Sequence, residues 1–259
     1  MNKPIIAIVG AGAVGTTTAY ALIVTNIPAN IILIDINEVR CAGEIMDLAD
    51  VIPLCIGAQI RAGSTTDAQY ADIIIIACGE RQEPGQSRTQ LLEANKAMLM
   101  ALFNQMRQFK KTALIIMVTN PLDVLAYHAQ KLSGLPHNQV FGTGTLLDSL
   151  RMKELLAQKL QIHESSINAY IIGEHGDHQF PAWSTAEIGG KPLREFTQIT
   201  TSDLQGIAEA TRNKAYDIIA CKGSTFYGIA TCVARLCHAI IFDEKQIMPL
   251  SCYIESLDV

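Results

Sequence analysis

The sequence predicts an α/β protein, a doubly wound parallel sheet followed by a smaller α+β domain. Three features carry that prediction. Short unbroken apolar runs recur in the first half, helix-length segments separate them, and the pattern changes after Phe141-Gly142. Pro4–Val9, Asn30–Asp35, Asp72–Ala77 and Ala113–Val118 are the runs, each ending in a turn or polar residue, as strands buried on both faces of a parallel sheet do. Between them, Val14–Val24, Glu38–Val51, Thr89–Gln108 and Leu122–Leu132 have helical length. A β-α-β order implies right-handed crossovers with helices on both faces. After Phe141-Gly-Thr-Gly-Thr145 the spacing predicts a helix over Leu147–Leu160 and a strand over Ile167–Ile172. Long helices are expected near Ser202–Cys221 and Thr225–Ile241. No low-complexity linker or internal repeat interrupts the chain, so two closely joined domains are expected, 1–142 and 143–259.

Composition narrows the function. Of 259 residues 49% are apolar and 17% charged, which fits a globular chain rather than a disordered one. A net charge of −5 without a basic run weighs against nucleic acid as a partner. The apolar run of MNKPIIAIVGAG is cut short by Gly10, too soon for a signal-peptide core, and no later stretch approaches membrane-spanning length. No membrane partner is therefore expected. The seven cysteines (41, 55, 78, 221, 232, 237 and 252) lack metal-type pairing, so no metal is expected. Their odd number reads as reduced core thiols of a cytoplasmic protein.

Gly10-Ala-Gly12-Ala-Val14-Gly15 follows the first run and opens a helix. Gly10 permits a tight turn, Gly12 lets backbone approach a pyrophosphate, and Gly15 allows close helix–strand packing, the Rossmann-type arrangement. A phosphate there meets free N–H groups at the positive end of a helix. Asp35 ends the next strand, twenty residues beyond Gly15, where a carboxylate accepts ribose hydroxyls and repels a 2′-phosphate. The bland readings are ordinary turn glycines and, for Asp35, a helix N-cap. Taken together, the strand, the helix and the acid favour NAD as cofactor.

Ile171-Ile-Gly-Glu-His175-Gly-Asp177-His178 places an imidazole in a glycine-flanked loop after a strand. The other histidines (128, 137, 163, 178 and 238) read as surface or satisfied core residues. Asp148-Ser-Leu-Arg151 lies near a helix start, and its i to i+3 spacing puts both charges on one face. A carboxylate against an imidazole fixes the tautomer and favours the protonated ring, and an arginine grips a substrate carboxylate with paired hydrogen bonds. On spacing alone, a surface ion pair between Asp148 and Arg151 fits equally well. Residues 78–90, Cys-Gly-Glu-Arg-Gln-Glu-Pro-Gly-Gln-Ser-Arg-Thr-Gln, pose a separate question, because this polar stretch follows a buried strand with no anchor for a core.

Along essentially its whole length the chain resembles the NAD-dependent L-lactate/L-malate dehydrogenase family. The matching segments are GAGAVG (10–15), LID (33–35), EIMDL (44–48), PGQSR (84–88), TNPLDVL (119–125), LDSLR (147–151), IIGEHGD (171–177) and KGSTFYGIA (222–230). The resemblance implies that His175 gives a proton to the ketone oxygen and takes it back in reverse. It implies that Asp148 holds that imidazolium, Arg151 binds the substrate carboxylate, Asn120 bonds the substrate oxygen and Thr225 lies beside the substrate. Gly10, Gly12, Val14, Gly15, Asp35, Arg40, Gly79 and Asn120 are implied for the NAD site. Residues 78–90 resemble the family's lid, which closes over substrate and excludes water. In that lid Arg88 would polarise the carbonyl. Gln82 stands at the specificity position, where a neutral amide tolerates a methyl group and points to pyruvate and L-lactate. A small-molecule substrate and a homo-oligomer, dimer or tetramer, follow from the same resemblance.

The match departs from the family in three places. Glu80 and Glu83 add negative charge to the lid, and Arg81, next to Gln82, could take the selecting position if the register slips, which would favour L-malate and oxaloacetate. Lys153 and Asn168 stand where many bacterial members have a basic effector site for fructose 1,6-bisphosphate, which weighs against that activation. After Gln246–Ile254 the family continues with further strands and a helix. A second domain of low stability is therefore expected, with an NAD-binding subunit of little activity as the reading from another functional class.

Overall fold

The computed structural model describes residues 3–80, 88–106 and 108–255, with the side chains of residues 88 and 89 left aside. Six strands, β1 (Ile5–Val9), β2 (Asn30–Ile34), β3 (Gln59–Ala62), β4 (Ile73–Ile76), β5 (Leu114–Met117) and β6 (Val140–Gly142), form one parallel sheet. Their order is β3-β2-β1-β4-β5-β6. The chain therefore reverses its direction of growth between β1 and β4. Open α/β sheets bind ligands at such a switch point, beyond the carboxyl ends of the strands.

The central strands are buried, and Ile73–Ile76 of β4 are sealed on both faces. The two edge strands were not predicted. β3 reads Gln-Ile-Arg-Ala with mostly exposed side chains, and β6 has only three residues, so neither carries the long apolar run that marks a central strand. The helices of this sheet are α1 (Ala13–Val24), α2 (Glu38–Ala49), α3 (Arg88–Met106) and α4 (Leu122–Ser133), each close to its expected bounds. Leu99, Leu102, Phe103 and Met106 of α3 join Leu122, Leu125 and Ala129 of α4 over one face of β4 and β5.

The chain packs as two units. The first comprises Met1–Gly142, Phe226–Gln246 and Ser251–Val259, and the second Thr143–Thr225 with Ile247–Leu250. The sheet belongs to the first unit, and so does helix α7 (Tyr227–Ile241), which packs against α1. Gly142 exchanges backbone hydrogen bonds with Ser251 in the same unit, at 2.9 and 3.1 Å.

The second unit holds α5 (Leu146–Leu160), the short strands β7 (Ile167–Asn168), β8 (Ile171–Ile172), β9 (Phe180–Pro181), β10 (Glu187–Ile188) and β11 (Lys191–Pro192), and α6 (Thr201–Lys222). The strand expected over Ile167–Ile172 divides, because β7 pairs with β10 whereas β8 pairs with β9. Met152 and Leu156 of α5 meet Ile167, Ala169, Ile171, Ile188 and Leu193 in its core. Among the described residues no disulfide forms, and burial pushes the Cys78 thiol up to about 11 and Cys237 up to about 12. Among the described residues no helix is long and apolar enough to cross a membrane.

Candidate active site

In the first unit the chain leaves β1 through Gly10, whose φ of +106° is open to glycine at little cost. A Cβ there would lie 2.7 Å from the backbone nitrogen of Cys78, and one on Gly15 would overlap the carbonyl oxygen of Gly10. The turn is therefore closed on its inner side by backbone. Its outer side is open, because a Cβ on Gly12 would meet nothing within 4 Å. Gly12 is the N-cap of α1 and no side chain caps that end, which leaves the first N–H groups of the helix available to an anion.

Asp35, just past β2, is tied to this turn. Its Oδ2 accepts the Ala11 N–H at 2.6 Å and its Oδ1 the Asn37 N–H at 2.8 Å. The N-cap of α2 is Asn37, which accepts the Arg40 N–H at 3.0 Å, so Asp35 does not cap the helix. Arg40 is exposed, with its guanidinium 3.5 Å from Glu44. Val14 sits half-buried in the first turn of α1.

Past the paired parts of β4 and β5 a second cluster forms. Val118 N–H still reaches Ile76 O at 3.0 Å, and then Thr119 Oγ1 donates to Cys78 O at 2.6 Å. Asn95, fully buried in α3, accepts the Glu80 N–H at 2.7 Å and donates to Asn120 O at 3.0 Å. A Cβ on Gly79 would run into Thr119 and Asn95, so these side chains lie between Gly79 and Asn120.

The second unit holds the charged cluster. Asp148 and Arg151, on the first turns of α5, are both buried, which overturns the reading of a surface ion pair. Asp148 Oδ2 lies 2.7 Å from His175 Nδ1 and its Oδ1 3.3 Å from Arg151 Nη1. One carboxylate thus faces the imidazole and the guanidinium together. Two buried hydroxyls seat the His175 strand on that helix. Thr145 Oγ1 donates to Ile171 O at 2.6 Å, and Ser149 Oγ accepts the Ile171 N–H at 2.9 Å while donating to Thr145 O at 2.8 Å. Tyr216 of α6 donates to Asp177 at 2.8 Å, anchoring the far side of the His175 loop.

Comparison with known proteins identifies the family. Residues 5–142 match the model of the lactate/malate dehydrogenase NAD binding domain, and residues 145–258 that of the family's alpha/beta C-terminal domain. The chain belongs to the lactate/malate dehydrogenase family. It is 43% identical to L-lactate dehydrogenase A of Rhizopus oryzae over 96% of this chain and 78% of that one. It is 38% identical to the L-lactate dehydrogenase of Lacticaseibacillus casei, over 96% and 77% respectively. Among solved structures it resembles the ligand-bound minor L-lactate dehydrogenase of Enterococcus mundtii, with a TM-score of 0.94 and 34% identity over 98% of this chain and 82% of that one. A lactate dehydrogenase from a Medee basin deep-sea metagenome library gives a TM-score of 0.91 at 34% identity, over 96% and 81%.

Apart from Thr225, the expected site residues fall into three groups among the described residues. Gly10, Gly12, Val14, Gly15 and Asp35 share the glycine turn, with Arg40 on the helix that follows Asp35. Gly79 and Asn120 share the end of β4 and β5, and His175, Asp148 and Arg151 share one cluster in the second unit. Thr225 is half-buried in the short connection between α6 and α7, because α7 begins at Tyr227 rather than at Thr225. Gln82, Arg81 and the Arg88 side chain lie outside the described residues. Asn95, Thr145 and Ser149 were not foreseen. Asn95 stands in a helix whose other side chains gave no sign that it spans two strand ends, and a buried hydroxyl has no sequence signature of its own.

Proposed function

We propose that this chain is an L-lactate dehydrogenase, reversibly converting pyruvate and NADH to L-lactate and NAD. The observation that carries the reading is the buried Asp148 carboxylate shared by His175 and Arg151, in a chain whose named relatives above are lactate dehydrogenases. The glycine turn fits a dinucleotide, because Gly12 leaves open space beside an uncapped helix end and Asp35 stands next to it. Gly10, Gly12, Val14, Gly15, Asp35, Arg40, Gly79 and Asn120 would hold the cofactor, and when bound it supplies the hydride.

The chain's own residues handle charge and proton. Asp148 holds His175 Nδ1, so the proton exchanged with the substrate oxygen is the one on Nε2. The negative charge of Asp148 favours the imidazolium before the proton leaves and orients the ring. Arg151 takes the substrate carboxylate, Asn120 bonds the reacting oxygen and Thr225 borders the substrate. In the same reading Arg88 polarises the carbonyl and Gln82 accommodates the methyl group of pyruvate. A homo-oligomer belongs to this reading, and exposed Ile36, Val39, Met46, Leu54 and Ile56 of the first unit offer apolar surface for self-association.

The test is NADH oxidation with pyruvate and with oxaloacetate. Pyruvate should be preferred, and Gln82→Arg should move the preference toward oxaloacetate. His175→Asn should cost about 10²–10⁴-fold in turnover while NADH still binds. An unmodified chain that prefers oxaloacetate would make malate the substrate, with Arg81 as the selecting residue. Binding of NADH without turnover of either acid would leave only an NAD-binding subunit.

A further inference from the structure

We propose that Asn95 is a positioning residue for the reaction, setting the backbone of Asn120 and of Glu80 at the carboxyl ends of β4 and β5. The proposal rests on the lactate dehydrogenase reading, which gives Asn120 the substrate oxygen. Asn95 itself reaches no substrate in this scheme; it acts through the two backbone groups it holds.

The geometry leaves the amide one orientation. Its Oδ1 takes an N–H, that of Glu80, and its Nδ2 gives to a carbonyl, that of Asn120, at 2.7 and 3.0 Å. A reversed amide would set donor against donor and acceptor against acceptor. Asn95 is fully buried, so an apolar replacement there takes the partner from both the Glu80 N–H and the Asn120 carbonyl.

Its place in the fold gives that bond pair a use. The β4–β5 ladder pairs Ile76 with Met117, and outward from there the links are Val118 N–H to Ile76 O, then Thr119 Oγ1 to Cys78 O, then Asn95. Asn95 is the outermost of these links and the one that touches Asn120, whose residue is exposed beyond it. The same side chain also ties the backbone of Glu80 to α3. Gly79 lies against Asn95 Oδ1, where a Cβ would come within 3.3 Å, so the cluster has little slack.

Two variants test the proposal. Asn95→Asp keeps an acceptor for Glu80 but turns an oxygen toward Asn120 O, and Asn95→Ser removes the reach to both. Pyruvate turnover is measured per NADH-binding site, counted by fluorescence titration, so that a misfolded fraction does not register. Both variants should lose about 10²-fold in kcat, the scale of an ångström-sized misplacement of a reacting group. NADH affinity, carried chiefly by the glycine turn and Asp35, should change far less. If kcat per site matches the unmodified enzyme and only the unfolding midpoint falls, Asn95 is structural and the proposal is wrong. Should Asn95→Asp not fold, Asn95→Ser decides by the same criterion. Failure of both to bind NADH also overturns it, since the whole nucleotide-binding unit would then depend on Asn95. An unmodified chain with no pyruvate turnover overturns the lactate dehydrogenase reading, and this inference with it.

Discussion

At the glycine turn of the first unit, backbone packs on backbone, and at the His175 cluster of the second unit, polar side chains hold one another. Gly10 and Gly15 leave no room for a Cβ, and the atoms that exclude it belong to Cys78 and to Gly10 itself. Around His175 the restraints are the Asp148 carboxylate, the Arg151 guanidinium and the hydroxyls of Thr145 and Ser149. The first arrangement is steric, insensitive to pH and expressed in residue type, because only glycine fits. The second is electrostatic and reciprocal, so each group is worth what its partner makes it. A steric site tolerates loss of a neighbour, whereas a buried charge does not.

The largest effect should therefore come from cutting the charged cluster at its centre. Asp148→Ala leaves the buried Arg151 without the carboxylate it faces at 3.3 Å and takes the proton-holding partner from His175 Nδ1. Removing one member of a buried ion pair costs about 3–5 kcal/mol. Urea unfolding should show a loss of that order, together with loss of pyruvate turnover. Asp148→Asn preserves the shape and should recover part of the stability but little of the turnover. Equal stability of the alanine variant and the unmodified chain would mean that Arg151 is solvated, contrary to its burial.

At the glycine turn a smaller stability effect but a sharper binding effect is expected. Gly15→Ala puts a methyl group into the Gly10 carbonyl, and strain from such overpacking is typically about 1–3 kcal/mol. To relieve it, the helix end must move from β1, carrying the first N–H groups of α1 away from their place beside the Gly10 turn. NADH affinity should fall by more than the stability does. By contrast, Gly12→Ala meets no protein atom, so it should leave the unfolding midpoint near that of the unmodified chain and weaken only NADH. If both alanines changed stability and binding in proportion, the inner and outer sides of the turn would not differ as described.

That contrast also explains what was legible in the sequence. The glycine spacing and Asp35 could be read directly, because a steric demand shows itself as a residue type at a fixed distance. The central strands were legible for the same reason, as runs such as Ile73–Ile76 have one stable environment. Edge strand β3 was not, since Gln59 and Arg61 face water and only pairing with β2 makes the segment a strand. Asp148 and Arg151 were visible as a spaced pair but not as a buried one, because burial is a property of the folded unit and not of the spacing. Ser149 and Asn95 bond to backbone far along the chain, at Ile171 and Asn120, and no local pattern encodes such a partner.

The smallest effect tests the electrostatic half of the comparison at an exposed site in the second unit. Asp203 closes the capping box of α6, accepting from the Thr200 N–H at 2.9 Å and the Thr200 hydroxyl at 2.7 Å, and it meets Lys159 Nζ of α5 at 2.6 Å. The Lys159 hydrogen bond, followed by those from Thr200, holds its carboxyl at about 2, below the ordinary 3.8. A depressed carboxylate stabilises the folded state above its unfolded value and loses that contribution as pH falls through the folded one. Asp203→Asn keeps an acceptor for Thr200 and removes only the charge. It should lower the unfolding midpoint by no more than a few degrees at neutral pH, less in high salt, because the pair is open to solvent. The gap between variant and unmodified chain should then close as pH falls from 3.8 to about 2. A gap that persisted below that range would mean that Asp203 acts through the shape of the cap rather than through its charge, as the glycines do at the other end of the comparison.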